Sequence, residues 1–257
     1  MITSYLQGGL GNQMFQIAAA YSLSLKLNVE CAFDFNTSFV STQGHNANRY
    51  KDNLFKNISN KSLNLNEFKI YREPEFKFNE IPLMDNLCLI GNFQSEKYFI
   101  DNKDEVIKLF NFEESINNKV KKFIDENANG VSLTGVHVRR GDYLLKPSFH
   151  PVCSLVYYRE GMKIINDVKY VLISDDIEWC KETFKGDEFI FSPFTNELDD
   201  LYLLMNCDNH IIANSSFSWW GAFLSQKDGK VVAPKTWFGY EGPQDTQDIY
   251  LKKFLIC

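Results

Sequence analysis

Short hydrophobic runs alternate with amphipathic stretches throughout the second half of the chain. Apolar runs predict strands near residues 133–138, 169–174, 188–191, 208–213 and 230–234, and the stretches beside them predict helices near 154–166, 176–184, 196–206 and 216–226. Strands that alternate with helices are typical of a parallel, doubly wound sheet. Residues 131–257 are therefore predicted to form a nucleotide-binding type of domain, with its ligands at the carboxyl ends of the strands.

The first half of the chain gives a weaker pattern. Periodicity predicts a strand at 2–6, a glycine turn at 8–11, a helix at 12–27 and a strand at 30–34, which form one βαβ unit, and then a strand at 87–91 and helices at 103–110 and 114–126. Residues 36–86 carry few periodic runs and receive no assignment. Because Asn129 and Gly130 are typical helix-ending residues, we predict two domains, an N-terminal α/β domain over 1–130 and a C-terminal domain over 131–257.

Composition narrows the class of protein. The net charge of −6 argues against broad nucleic-acid binding, which requires a basic surface. No apolar run approaches the ~18 residues of a membrane helix, and no basic residue precedes an apolar run at the N-terminus, so we expect neither a transmembrane segment nor a secretory signal. The six cysteines lie far apart without a Cys-x-x-Cys pair, which favours isolated thiols in a reducing compartment.

Two adjacent arginines follow the predicted strand at 133–138. In this strand Val136 and Val138 alternate with His137, so its carboxyl end delivers Arg139 and Arg140 to the ligand side of the sheet. A guanidinium suits a diphosphate because it donates paired hydrogen bonds to phosphate oxygens and keeps its proton. A solvated surface pair, or an ion pair with the nearby Asp142, is an equally good interpretation from spacing alone.

A second polar segment, NSSFSWWGA at 214–222, follows the apolar strand at 210–213. Small hydroxyl residues that open a helix at the end of a strand provide an anion site, since free backbone N–H groups and hydroxyls meet there. Ordinary helix capping is the alternative for Asn214, Ser215 and Ser216, and the two tryptophans are equally compatible with a core position.

Two further candidate sites carry weaker signals. The turn GGLGNQ at 8–13 resembles a dinucleotide-binding fingerprint with Asp34 as the ribose-binding acid, but Met14 stands where the last glycine belongs, and a tight turn alone also requires glycine. Asp175 and Asp176 end the strand at 169–174, where a carboxylate contacts a base or a ribose, or caps a helix. The four histidines show no metal-ligand spacing and no Asp-x-Asp is present, so we expect no essential metal.

Three segments together resemble one known family. GGLGNQMFQ at 8–16, HVRRGDY at 137–143 and NSSFSWWGA at 214–222 are similar to the motifs of the α-1,2-fucosyltransferases, glycosyltransferase family 11. Supporting similarity lies in HPVCS at 150–154, ISDD at 173–176, DLY at 200–202 and APKTWF at 233–238. The resemblance covers residues 130–240 almost continuously, together with the first forty residues, and segment 36–86 matches nothing that can be aligned.

The resemblance implies an α/β, GT-B-like fold of two Rossmann-type domains with the donor site between them. It implies an inverting, metal-independent enzyme without a cofactor, of the bacterial, cytoplasmic type, that transfers L-fucose from GDP-β-L-fucose to the 2-hydroxyl of a terminal β-galactoside. The partners are then GDP-fucose and an oligosaccharide acceptor, with no nucleic acid. Peripheral membrane association and the oligomeric state stay open, and the N-terminal domain is expected on the acceptor side.

The same resemblance assigns roles to individual residues. Arg139 is implied to hold the β-phosphate, His137 and Asp175 to address the guanosine, Ser215 and Ser216 the diphosphate, and Asn12 the fucose side of the cleft. The residues expected to bind substrate are Gly9, Asn12, Gln13, His137, Arg140, Asp175, Asp176, Asn214, Ser215, Ser216 and Ser218, and those expected to act in catalysis are Arg139 and Asp142.

These roles agree with the chemistry of an inverting transfer. The acceptor attacks C1 opposite the departing GDP, and without a metal the charge that gathers on the diphosphate requires preorganised donors such as Arg139. Asp142 is the nearest carboxylate, yet pairing with cations makes it a weak base, so it orients Arg140 or the acceptor instead, or no protein base is needed. An NAD(P)-dependent oxidoreductase and a non-catalytic nucleotide- or carbohydrate-binding protein are the rival hypotheses.

Overall fold

The computed structural model describes residues 1–37 and 44–257, and the chain divides into two compact units. The first unit comprises Met1–Phe112 and Asp245–Leu251, and the second comprises Glu113–Gln244 and Lys252–Cys257. This division differs from the predicted boundary at residue 130. Asn129 does end a helix, with a left-handed backbone (φ 47°), but that helix belongs to the second unit rather than closing the first.

The first unit contains a small parallel sheet and the helix that follows its first strand. The elements are β1 (Ile2–Ser4), α1 (Leu10–Leu27), β2 (Lys69–Arg72), β3 (Leu87–Ile90) and α2 (Lys103–Leu109), and the strand order is β1-β3-β2. Helix α1 is buried along most of its length, which matches its predicted apolar stripe. The first strand, the helix and β3 were thus predicted correctly.

Two features of this unit differ from the prediction. The strand expected at 30–34 forms only isolated parallel bridges, from Cys31 to Ile2 and from Phe33 to Asn60, so the predicted βαβ unit is incomplete. Strand β2 lies in the stretch that received no assignment. Its four residues are largely exposed, and an exposed edge strand lacks the apolar run from which strands are predicted.

The second unit contains a six-stranded, wholly parallel sheet. Its elements are α3 (Glu114–Ala128), β4 (Leu133–Val138), α4 (Leu155–Ile165), β5 (Lys169–Ser174), α5 (Ile177–Thr183), β6 (Phe189–Phe191), α6 (Glu197–Asn206), β7 (Asn209–Ile211), α7 (Ser216–Leu224), β8 (Val231–Ala233) and β9 (Phe254–Ile256). Helix α3 belongs here because Lys119 pairs with Asp199 of α6, and Phe123 packs on Phe194 at 5.6 Å between ring centroids. All of these elements were predicted except β9, a three-residue edge strand.

The strand order of this sheet is β6-β5-β4-β7-β8-β9. Counted within the unit, this is the order 3-2-1-4-5-6 of dinucleotide-binding folds. The direction of strand addition reverses between β4 and β7, which pair in register with Val136 beside Ile211. In such sheets the ligand crevice opens at the carboxyl ends of the two strands that flank the reversal. The segments after Val138 and after Ile211 therefore lie at the crevice, and these are the two segments with the strongest motifs.

Candidate active site

Arg139 follows β4 directly and lies between two carboxylates. Its Nη1 is 3.0 Å from Oδ2 of Asp175, which follows β5, and its Nη2 donates to Oδ1 of Asp142, in the 3-10 turn at 141–145. The Arg139 side chain is 25% exposed, so part of its donor fork still reaches solvent. The guanidinium is held in one place from two sides, which is the preorganisation that a fixed anion site requires.

Arg140 has a different environment. Its Nε is 3.0 Å from Oδ2 of Asp176, and its guanidinium lies 3.9 Å from the ring centroid of Trp179. Asp176 also accepts the backbone N–H of Trp179 as the N-cap of α5, at 3.3 Å. Arg140 therefore ties the end of β4 to the start of α5, and the predicted capping role of Asp176 is present together with this ion pair.

The main chain after β4 lies against Asp175. The backbone N–H of Arg140 donates to Oδ1 of Asp175 at 2.9 Å, and a Cβ at position 141 would lie 2.4 Å from Oδ2. Only glycine at position 141 permits this approach. The carboxylate of Asp175 thus joins the Arg139 side chain to the backbone of the next two residues.

His137 is a buried, neutral imidazole. Its side chain lies within 5.2 Å of the ring of Phe217, between centroids, and only 4% of the residue is exposed. Burial, with a smaller contribution from the charge of Arg139, lowers the pKa of His137 to about 3. Its Nδ1 is buried and has no hydrogen-bond partner within the described part of the chain. Such an atom is normally satisfied in native proteins, so it indicates a ligand or water contact.

The segment after β7 separates into structural and site-facing residues. The side-chain amide of Asn214 is buried, donates to the carbonyl oxygens of Pro151 (3.0 Å) and Trp237 (2.9 Å), and accepts from the thiol of Cys153 (3.3 Å). The Ser218 hydroxyl is fully buried and donates to Ala213 and Ser215 carbonyl oxygens. Neither side chain is placed for a ligand, because both are used to hold the fold together.

Ser215 and Ser216 begin helix α7. Ser215 is the N-cap residue in an extended conformation, and its side chain makes no capping hydrogen bond. The prediction of ordinary capping by a hydroxyl group is therefore wrong for Ser215. Its side chain does not occupy the backbone N–H donors at the start of the helix. Trp219 and Trp220 are completely buried, which makes the core interpretation of the tryptophans correct.

Tyr143 connects the two motifs of this unit, a role that the sequence interpretation missed. Its hydroxyl donates to the carbonyl oxygen of Asn214 at 3.0 Å, and the Arg139 guanidinium lies 5.3 Å from its ring centroid. The ring also stacks on His150 at 4.5 Å. Tyr143 therefore fixes the spacing between the arginine segment and the start of α7, and a bulky aromatic next to Gly-Asp was the available signal.

The glycine turn of the first unit is built around two amide side chains. Gly8 has φ +77° and Gly9 is the N-cap of α1. Gln13 is fully buried, and its Nε2 donates to the carbonyl oxygens of Gly8 (2.9 Å) and His45 (2.8 Å), so it braces the turn, while its Oε1 is buried with no hydrogen-bond partner within the described part of the chain. Asn12, the residue before Gln13, is half-buried and accepts a 2.8 Å hydrogen bond on its Oδ1 from the Nε2 of Gln94, a residue that the sequence interpretation missed.

Asp34, the acid on which the dinucleotide hypothesis depends, is used within the fold. Its carboxylate accepts the backbone N–H groups of Asn36 (3.0 Å) and Leu63 (3.1 Å), and the residue is 8% exposed. The six-stranded sheet of the dinucleotide-binding type is built by the other half of the chain. Nothing in this geometry supports a nicotinamide dinucleotide at the first glycine turn.

Three further properties concern residues 1–37 and 44–257. In these ranges no group of three His, Cys, Asp or Glu side chains is arranged to hold a metal ion. No helix within them combines the length and the apolar character needed to cross a bilayer. The six cysteines all lie there as free thiols.

Known structures share the fold. The crystal structure of the fucosyltransferase NodZ from Bradyrhizobium superposes with a TM-score of 0.54 at 16% identity, over 87% of this chain and 93% of that one. POFUT1 in complex with GDP-fucose superposes with a TM-score of 0.51 at 11% identity, over 89% and 95%. The expected α/β, GT-B-like fold is confirmed.

Sequence relatives give the family. The O-antigen biosynthesis glycosyltransferase WbnK of Escherichia coli is 34% identical, over 91% of this chain and 94% of its own length, and an α-1,2-colitosyltransferase of Escherichia coli is 32% identical over 94% and 93%. The mouse galactoside 2-α-L-fucosyltransferase Sec1 is 24% identical over 91% and 67%. The profile of Glycosyl transferase family 11 matches residues 1–256, and the chain belongs to this family.

Proposed function

We propose that this protein is an inverting galactoside α-1,2-fucosyltransferase, which transfers L-fucose from GDP-β-L-fucose to the 2-hydroxyl of a terminal β-galactoside during bacterial glycan assembly in the cytoplasm. Relatives named as α-1,2-transferases, with galactoside acceptors in the animal members, support the linkage and the acceptor class. The observation that carries the proposal is the position of Arg139 and the start of α7 on either side of the reversal between β4 and β7.

The diphosphate is bound by the guanidinium of Arg139 and the N-terminal end of α7 at Ser215 and Ser216. In the described structure the cluster around Arg139 contains two guanidinium groups and three carboxylates, an excess of one negative charge. A diphosphate binds at this cluster through the N–H groups of Arg139 that do not serve Asp142 and Asp175. A planar fork with five N–H groups permits this sharing, whereas an ammonium group does not offer the same geometry.

The guanosine is recognised by the neutral groups and carboxylates beside the phosphate site. His137 keeps an uncharged imidazole with an unsatisfied buried Nδ1, which matches an uncharged hydrogen-bonding edge such as that of a purine. Asp175, at the end of the adjacent strand β5, lies where dinucleotide-binding folds place the acid that accepts from a ribose hydroxyl. Asn12 of the first unit addresses the transferred sugar.

The reaction forms a bond between the acceptor oxygen and C1 of fucose while the bond from C1 to the β-phosphate oxygen breaks. The acceptor proton is released, GDP departs, and the β-linked donor yields an α-linked product. Arg139 stabilises the charge that gathers on the departing diphosphate. Asp142 is bonded to Arg139, so we assign it the positioning of this guanidinium rather than proton abstraction.

The identity of the donor sugar has one specific rival. A relative with 32% identity is named as a colitosyltransferase, and colitose is the 3-deoxy counterpart of fucose. A transferase for this sugar uses the same GDP site and the same C1 chemistry. Only contacts to the 3-hydroxyl of the donor separate the two activities.

The purified protein is incubated with a panel of terminal β-galactosides and one donor at a time: GDP-fucose, GDP-colitose or GDP-mannose. Mass spectrometry detects transfer, and proton NMR of the product assigns the linkage and the anomeric configuration. We expect an α-1,2-linked fucosyl product and no transfer from GDP-mannose. Faster transfer from GDP-colitose reassigns the donor, whereas binding of NAD without any response to GDP contradicts the transferase proposal.

A further inference from the structure

We propose that the side-chain amide of Asn92, in the turn after β3, binds a hydroxyl group of the galactoside acceptor, and that Glu73 is the positioning residue that holds this turn. The inference rests on the proposed function, because the acceptor is the galactoside named there. It goes further by assigning an acceptor contact to a residue outside all of the sequence motifs. Both residues belong to the first unit.

The turn that carries Asn92 lies at the carboxyl edge of the three-stranded sheet. Asn92 follows the central strand β3 by two residues, and Glu73 directly follows the neighbouring strand β2. Gln16 of α1 donates from Nε2 to the carbonyl oxygens of Gly91 (3.1 Å) and Gln7 (3.3 Å), which joins this turn to the glycine turn after β1. Parallel sheets bind their ligands outside the carboxyl ends of the strands, so Asn92 lies where a ligand of the first unit is expected.

The side chain of Asn92 is half-buried and makes no hydrogen bond with any residue of the ranges 1–37 and 44–257. Its backbone N–H alone is engaged, by Oε2 of Glu73 at 2.6 Å. The amides of Gln13 and Gln16, by contrast, donate to carbonyl oxygens of the fold at the same edge. An amide offers two N–H donors and an acceptor oxygen, and a sugar hydroxyl both donates and accepts. The Asn92 amide therefore matches this class of ligand.

The main chain of the turn is fixed by a carboxylate. Glu73 accepts the backbone N–H of Asn92 at 2.6 Å and that of Phe93 at 3.0 Å. It also accepts from the Tyr98 hydroxyl at 3.3 Å. Burial raises the pKa of Glu73, and the hydrogen bonds from the turn oppose this increase in part. A Cβ on Gly91 would lie 2.4 Å from Cβ of Glu73, so the approach of this carboxylate to the turn requires glycine.

The residue after Asn92 adopts an unusual backbone conformation. Phe93 has φ +51°, which residues with a bulky side chain rarely adopt. Its ring is completely buried and packs on Tyr98 at 5.2 Å and on Tyr71 at 6.4 Å. Conformations of this kind persist only where the surroundings determine them, and they concentrate at functional sites. The turn that presents Asn92 is thus held in one conformation by a carboxylate, a glycine and a buried ring.

The first test compares Asn92→Ala with the wild type, and uses Asn111→Ala, an exposed asparagine of the same unit, as the control. We expect Asn92→Ala to raise the KM for the acceptor about tenfold, the loss expected for a hydrogen bond to a neutral ligand. The Kd for GDP by calorimetry and the melting temperature should change little, since the side chain holds no other part of the fold. An acceptor KM within twofold of the wild type would overturn the inference.

Deoxygenated acceptors identify the hydroxyl that Asn92 binds. Methyl β-galactoside is compared with its 3-, 4- and 6-deoxy analogues, because the 2-hydroxyl is the nucleophile and has to stay. We expect one analogue to lose about tenfold in kcat/KM with the wild type and much less with Asn92→Ala, in which the partner of the missing hydroxyl is already absent. Equal relative losses in the two enzymes contradict the contact.

Glu73→Gln separates positioning from a general structural effect. A glutamine amide accepts on one atom only, whereas the Glu73 carboxylate accepts on both oxygens. We expect this variant to raise the acceptor KM and to weaken the discrimination among the deoxy analogues, as Asn92→Ala does. In the Asn92→Ala background it should lower the melting temperature without raising the acceptor KM further. A further increase in KM there contradicts the positioning role of Glu73.

A binding measurement makes the result independent of catalysis. Saturation-transfer NMR of methyl β-galactoside, with GDP present, should detect the sugar on the wild type and on Asn111→Ala and give a much weaker signal with Asn92→Ala. If the wild type transfers no sugar from GDP-fucose, the proposed function fails, and this comparison still decides whether Asn92 contacts the galactoside. Equal binding by the wild type and Asn92→Ala, or binding by neither, overturns the inference.

Discussion

Gly141 and Asp175 are in contact so close that no side chain fits between them: a Cβ at position 141 would lie 2.4 Å from Oδ2 of Asp175. The same carboxylate accepts the backbone N–H of Arg140 at 2.9 Å and pairs with Arg139 at 3.0 Å. The glycine of the arginine motif is thus required by the packing of a carboxylate from the neighbouring strand, and this packing sets the position of the guanidinium that we assign to the diphosphate.

Gly141→Ala is expected to move the Asp175 carboxylate and with it Arg139. Because the obstructed atom is the end of a side chain rather than backbone, we expect a loss of stability of about 1 kcal/mol or less, against a drop in kcat/KM of about tenfold or more. Steady-state kinetics and thermal unfolding measured on the same preparation check this separation of effects.

The control for this prediction is the background Asp175→Ala. Once the carboxylate is absent, Gly141→Ala has nothing to displace, so the two substitutions should be strongly non-additive. If Gly141→Ala slows the Asp175→Ala enzyme as much as it slows the wild type, the contact is not the cause.

Arg139→Ala should lower turnover at least a hundredfold, since a preorganised donor to a developing anion is worth roughly 3–4 kcal/mol. Arg139→Lys should recover only part of this loss, because an ammonium cannot serve Asp142, Asp175 and a phosphate in one plane. Arg159→Ala, an exposed arginine of the same unit, is the matched control. Turnover of Arg139→Ala within tenfold of the wild type removes Arg139 from the mechanism.

Arg140 is expected to act mainly through the fold. Its stacking on Trp179 contributes about 1–2 kcal/mol for a partly desolvated pair, so Trp179→Ala and Arg140→Ala should each lower the free energy of unfolding by this order. We expect their effects on kcat to be smaller than that of Arg139→Ala. Chemical denaturation and turnover measurements together test whether Arg140 acts mainly through stability. An Arg140→Ala enzyme that is fully stable but inactive contradicts this prediction.

Asp200 of α6 gives the protein a stability that depends on pH. Burial, opposed in part by a hydrogen bond from Ser192, raises the pKa of Asp200 to about 7, with further increases from Asp199 and Glu197. The folded state binds the Asp200 proton more tightly than the unfolded state. The contribution of this proton to the free energy of unfolding is therefore fully present below the unfolded pKa near 4 and is lost as the pH rises through 7.

Asp200→Asn removes this titration. Relative to the wild type, its free energy of unfolding should be similar at pH 4 and higher at pH 8, by on the order of 4 kcal/mol. Urea unfolding at both pH values measures the difference. Equal differences at the two pH values show that Asp200 does not titrate in this window.

The structure also shows why some elements were predictable and others were not. The helices of the second unit were predictable because their apolar positions repeat with the helical period, and its central strands because they form short apolar runs; all six residues of β4 are buried. Strand β2 is largely exposed, and two of the three residues of β9 are exposed. Their stability comes from pairing with a neighbouring strand, and such pairing leaves no hydrophobic period in the sequence.

The family and the alternation that builds a parallel sheet could be inferred from the amino-acid sequence alone. So could the placement of the Arg139 and Ser215 segments at one edge of that sheet, because parallel strands all end on the same side. The different environments of the two arginines became visible in the folded chain, where Arg139 is held between Asp142 and Asp175 and Arg140 is stacked on Trp179. Adjacent residues on a chain leave a strand in opposite directions, and what each meets is decided by other segments.

The same reason applies to the amide side chains. Asn214 and Gln13 carry the chemistry of ligand-binding residues, but their hydrogen bonds go to carbonyl oxygens of distant loops. Gln94 showed no motif and yet meets Asn12 across 82 positions of sequence. The residue type fixes which hydrogen bonds a side chain can make. Its partner depends on the fold: Asn12 and Gln94 meet because β1 and β3 pair in parallel, so that the segments after them lie at the same edge of the sheet.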